Sequence, residues 1–156
     1  MRLAFIALLC ILSGAANAQW TYRTVDDKMR SSKKNFAELN SANQAQLSFP
    51  YKGGSTLQLI VFKNSKDDEL DVLFWLKRGQ MPCHDHCMVS AKFDNDEISE
   101  WRSSGPAAGR SDAVYIKNSA EFLERLRLSK KLTVEVQIYD GGNFQYQFKT
   151  AGLTNK

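Results

Sequence analysis

Alternation of apolar and polar positions dominates the last third of the chain. Leu132, Val134, Val136 and Ile138 share one side of an extended segment, and Thr133, Glu135, Gln137 and Tyr139 share the other. Asp140-Gly141-Gly142-Asn143 supplies a turn, and Phe144, Tyr146 and Phe148 answer on the return with Gln145 and Gln147 opposite. Two period-2 runs about a glycine turn predict a β-hairpin. Shorter runs of the same kind predict strands at 45–49, 57–62, 70–76, 88–93, 97–102 and 113–117, with turns at 52–55, 64–68 and 94–96. Residues 70–76 (L-D-V-L-F-W-L) are almost continuously apolar. That pattern predicts a central strand buried on both faces, with Trp75 in the core.

One stretch changes period. Phe122, Leu123 and Leu126 form a stripe at helical spacing, preceded by Asn118 and Glu121 in the arrangement of a capping box. Arg125, Arg127 and Lys130 put positive charge where a helix dipole is negative. A helix from Asn118 to about Ser129, packed on the sheet, follows from these three signals. The expected fold is mainly β: an antiparallel β-sandwich of about 7–8 short strands, with one helix inserted before the C-terminal hairpin.

The N-terminus reads as a secretory signal peptide over residues 1–18. Arg2 precedes a uniformly apolar run from Leu3 to Leu12, and Ala16-Asn17-Ala18 is a small-x-small cleavage pattern. The apolar run is too short to span a bilayer as a helix, and no later segment is longer, so no transmembrane segment is expected after the signal is removed. Residues 19–156 are then a single domain in the periplasm or outside the cell. A composition of 43% hydrophobic and 24% charged residues suits one such domain. The net charge of +4 is too modest for the basic face of a nucleic-acid binder. Lys28, Arg30, Lys33 and Lys34 cluster, but beside Asp26 and Asp27, which reads as a solvated loop.

Chemistry concentrates in one place. Cys83-His84-Asp85-His86-Cys87 contains both histidines of the chain and both cysteines that follow the signal segment. In an oxidising compartment an even cysteine count favours a structural disulfide, and here Cys83 and Cys87 are each other's available partner. Thiolate and imidazole are also ligands for zinc or copper, so His84 and His86 form a candidate metal pair. Structural zinc sites draw ligand pairs from separate parts of the chain, however, and no second pair exists. The C-x-x-C spacing of thiol–disulfide enzymes is absent, as are a nucleophile elbow and a phosphate-binding glycine loop. No cofactor is implied and no enzymatic activity is expected. Trp20 and Trp101 are candidate partner-binding residues, since an exposed indole can anchor a ligand; packing at a sheet edge is the commoner role.

Several stretches together carry a resemblance. W-T-Y-R-T-V-D-D-K-M at 20–29, S-F-P-Y-K-G-G-S-T-L at 48–57, K-R-G-Q at 77–80, the cysteine pair, V-S-A-K-F-D at 89–94 and V-E-V-Q-I-Y-D-G-G at 134–142 are similar to a set of small exported bacterial proteins of unassigned function. More remotely the chain resembles periplasmic proteins of the invasion-associated locus B type. Neither group has an established active site, so the resemblance implies an exported β-domain and assigns no residue a role. The expectation is a non-enzymatic envelope protein that binds a protein or envelope component through its disulfide-pinned loop. A metal-binding protein using His84 and His86, or an inhibitor or immunity protein against a toxin, are the alternatives.

Overall fold

The computed structural model describes residues 20–63, 69–83, 86–107 and 109–154. The expected signal peptide at 1–18, the expected turn at 64–68 and His84 lie outside the described residues. Among the described residues the chain forms eleven strands and one helix. They are β1 (Thr21–Asp27), β2 (Ser32–Asn40), β3 (Ala45–Leu47), β4 (Gly53–Ser55), β5 (Leu57–Lys63), β6 (Leu70–Leu76), β7 (Cys87–Phe93), β8 (Ser99–Ser104), β9 (Ala113–Ile116), α1 (Ser119–Leu128), β10 (Lys131–Ile138) and β11 (Gly142–Lys149). Nine strands make one antiparallel sheet in the order β1-β2-β5-β6-β9-β8-β7-β10-β11, and β3 pairs with β4 in a small second sheet. The mainly β, antiparallel, sandwich-like architecture is the expected one, with a larger strand count.

The three additional strands show where polar patterning misleads. β1 is exposed along almost its whole length, so it carries no apolar stripe. The cationic stretch read as a solvated loop is instead the hairpin of β1 and β2, with only 28–31 in the turn. Asp27 accepts from Arg30 at that turn, and the bond to Arg30 holds its carboxyl below the ordinary range despite the opposing effect of burial. Gly53 and Gly54, read as turn residues, lie in β4.

The long sheet coils so that its two ends meet. Trp20 donates from Nε1 to the Thr150 carbonyl at 3.0 Å, and the Tyr22 hydroxyl donates to the Gly152 carbonyl and accepts from the Thr154 amide. Just after β2, the Ala42 amide donates to the Gln147 carbonyl. Asn43 then uses its side chain both ways, accepting from the Gln147 amide at 2.8 Å and donating to the Gln145 carbonyl at 2.9 Å. A side-chain amide thus replaces a missing strand along β11, which blunts one edge of the sheet.

Inside the coil, alternate residues from opposite walls touch. Phe74 of β6 lies 6.1 Å from Phe148 of β11, and Phe122 of α1 stands between Phe74, Phe93 and Trp101 at ring separations of 4.9–5.9 Å. These edge-on and tilted arrangements suit aromatic rings, and each ring is at or near complete burial. The helix occupies the expected span. The Asn118 side chain accepts from the Glu121 amide, while the Glu121 carboxylate accepts from the Asn118 side-chain nitrogen at 2.6 Å. Ser119 Oγ accepts from the Val72 amide, so the helix start extends the β6 ladder one bond past the end of β9.

Two expectations about β6 are corrected. The strand is central, between β5 and β9, but only one face of it is fully buried: Val72, Phe74 and Leu76 point inward, while Leu73 and Trp75 are half-buried on the outside. Adjacent strand residues face opposite ways, so Phe74 and Trp75 cannot both enter the core. Phe74 does. Trp75 instead donates from Nε1 to Asp112 at 2.9 Å, with Lys77 Nζ 3.8 Å above its ring.

Candidate functional site

The connection from β6 to β7 must pass β9 and β8, because β7 lies beyond both in the sheet. Residues 77–83 carry that crossing over one end of the coil. Backbone bonds hold it on several sides: the Lys77 amide to the Thr56 carbonyl, the Met81 amide to Ser111, and the Tyr139 amide to Gln80. Gly79 sits at the tightest point with φ of +103°. That backbone conformation favours glycine, and a Cβ there would lie a tight 3.1 Å from the side chains of both Leu47 and Leu76. Met81 and Cys83 are buried and anchor the crossing, leaving Pro82 and His86 at the surface.

Cys83 and Cys87 form the expected disulfide, with α-carbons 5.4 Å apart. It ties the last anchored residue of the crossing to the first residue of β7. With both sulfurs in the bond, neither cysteine is available as a thiolate ligand. His86 is exposed at the rim, and among the described residues no three His, Cys, Asp or Glu side chains gather into a metal-binding group.

A ridge stands next to the loop. Met88 is 54% exposed at the start of β7, beside His86, and separates two concavities of about 430 and 580 Å³. The first is lined by Glu100, Ser90 and Glu135, which belong to a cross-strand row. Glu100 of β8, Ser90 of β7, Glu135 of β10 and Gln145 of β11 are register partners in that order. Ser90 donates to Glu100 at 2.7 Å, and Gln145 donates to Glu135 at 2.9 Å. Asn143 adds a longer bond to Glu135, so each carboxylate is met by neutral donors. The second concavity is bounded by Arg102 and Lys117, with Arg102 the register partner of Met88. A thioether ridge therefore divides an acidic hollow from a basic one.

The sequence locates the loop but not the row. Glu100, Ser90, Glu135 and Gln145 are spread over three turns of chain and meet only because β7 pairs with β10, a contact no local pattern encodes. The tryptophans are the reverse case. Trp20 is 9% and Trp101 6% exposed, so both candidate partner-binding residues belong to the core. Trp20 is held by Thr150, and Trp101 by Ser99 and by the rings of Phe93 and Phe122. Closure of the coil buries the first, and the inward register of β8 buries the second.

No family model, curated protein or solved structure matches the chain.

Proposed function

We propose that this protein is a non-enzymatic, exported binding module of a bacterial envelope, which recognises a protein or envelope component through the disulfide-pinned loop and the ridge beside it. The observation that carries this reading is Met88, an exposed flexible side chain on a rigid strand, placed by the disulfide between concavities of opposite charge. An apolar centre with a charged surround is the anatomy of a recognition patch. A loop already fixed in place loses little entropy on binding, which favours affinity. The signal-peptide pattern and an oxidised cysteine pair support export, and the resemblance to small exported proteins points the same way.

Quantitative crosslinking of purified oxidised protein to envelope extract tests the reading, with wild type run beside Met88→Asp. The expected result is a stoichiometric partner captured by wild type and lost from Met88→Asp, whose fold by circular dichroism is unchanged. Identical capture by both proteins would remove the ridge from the binding surface.

A further inference from the structure

The outer face of the opposite wall is unlike the surface of a solitary β-protein. β5 and β6 send Leu57, Leu59, Val61, Val72, Phe74 and Leu76 inward, yet their outward positions are also largely apolar. Ile60, Phe62, Leu73 and Trp75 share that outer face with Phe36 of β2 and Tyr115 of β9, joined by the registers Phe36–Phe62, Ile60–Leu73 and Leu73–Tyr115. The rings of Phe36, Phe62 and Tyr115 form a continuous run of tilted and edge-on contacts, with centroid separations of 5.7 and 6.3 Å. Apart from Ile60, these side chains are only half-buried. Strands apolar on both faces are the mark of sheets covered on both sides, and a contiguous apolar patch on a monomer marks an interaction surface.

Glu38 of β2 lies on this face opposite Ile60 and is neutralised by Arg23, and the outward order along β6 suits a second copy of this chain. Along the outside of β6 the order is Asp71, Leu73, Trp75 and then Lys77: acid at one end, apolar side chains in the middle, base at the other. Lys77 belongs to the face because its Nζ lies over the Trp75 ring and donates to Gln58. A two-fold axis lying in the interface and perpendicular to β6 would stack two such rows in opposite directions. Asp71 of each copy would then oppose Lys77 of the other, with Leu73 and Trp75 packed between. An isologous contact requires this kind of self-complementarity.

We propose that the protein forms a two-fold homodimer by packing the outer faces of β2, β5, β6 and β9 of two copies against each other. The assembly is independent of the recognition loop and leaves both loops free. Sedimentation of the purified full chain after export and oxidation, followed over about a hundredfold range of concentration, tests it. Wild type is expected to be dimeric and Leu73→Asp monomeric, with the same thermal midpoint when the two are compared at high dilution. Asp71→Lys and Lys77→Asp each set like charges against one another, and each is expected to weaken association about a hundredfold. An equimolar mixture of these two variants restores opposite charges at both ends and recovers the dimer. A wild-type chain that stays monomeric, a dimer that survives Leu73→Asp, or a mixture no more associated than its components would each overturn the proposal. Should Leu73→Asp fail to fold, the equimolar mixture decides the matter, because it restores association without repairing either substituted chain.

Discussion

The two outer faces of one sheet solve the same problem differently. On β8, β7, β10 and β11 the outward row is Glu100, Ser90, Glu135 and Gln145, and each carboxylate receives a hydrogen bond from a neighbouring side chain. On β2, β5, β6 and β9 the outward positions carry Phe36, Ile60, Phe62, Leu73, Trp75 and Tyr115. Both halves have equally apolar inner faces, with Val89, Ala91, Leu132 and Val134 on one and Leu59, Val72 and Phe74 on the other. The inner pattern therefore decides the fold, while the outer pattern decides what each wall meets. The polar wall is complete in water. The apolar wall is not, and its charged ends restrict what can complete it.

The core shared by both walls is the most sensitive place to test this separation. Phe122→Ala removes the ring that joins Phe74, Phe93 and Trp101, and should cost about 3–5 kcal/mol in chemical denaturation. Both outer faces should fail together in one transition, since each wall contributes side chains to that cluster. Two separable transitions would show that the walls are independent folding units.

The disulfide comes next in size and acts on the polar wall alone. Replacing Cys83 and Cys87 together by serine opens a very short ring, which should cost about 2 kcal/mol if the effect is chain entropy. Hydrogen exchange should quicken at the start of β7 and leave β5 and β6 protected. Loss of protection in β6 would mean that the crossing at 77–83 also supports the apolar wall.

How far these features were legible in the sequence follows the same division. The C-terminal hairpin, the helix and its cap, and the disulfide are local features, and each is encoded within a short run of chain. β1 escaped because a hairpin held by cross-strand bonds such as Arg23–Glu38 and Thr24–Asn35 needs no buried stripe. Trp75 was misplaced for the opposite reason, since an apolar run reads the same whether its second face is covered by this chain or by another. The acidic row could not be read at all, because it depends on β7 pairing with β10 across nearly forty intervening residues.

A smaller effect probes the border of the apolar wall. Asp112 accepts from Trp75 Nε1 and is bracketed by Arg110 at 2.7 and 3.0 Å, and the Arg110 bonds, with help from Trp75, hold its carboxyl below the ordinary value of 3.8. A depressed carboxylate stabilises the fold above its unfolded pKa, and that contribution fades as pH falls through the lowered folded value. Asp112→Asn should therefore cost about 1 kcal/mol at neutral pH, and the gap from wild type should close only below about pH 4. A gap that persists unchanged into strong acid would show that the carboxylate's charge contributes nothing to holding Trp75.

The smallest effect is expected on the polar wall, and it is the sharpest control for the comparison. Glu135→Gln keeps the shape of the row and removes one charge, while solvent can reach the donors of Asn143 and Gln145 that lose a carboxylate oxygen. Exposed hydrogen-bonded pairs of this kind contribute little, so stability should stay within about 0.5 kcal/mol of wild type. Sedimentation should be unchanged as well, because the row lies on the wall that the dimer leaves open. Leu73→Asp instead places a charge on the other wall, where half-buried apolar neighbours replace solvent. If Glu135→Gln shifted self-association as strongly as Leu73→Asp, the two faces would not differ in kind. The dimer contact would then have to be sought on the acidic side of the sheet.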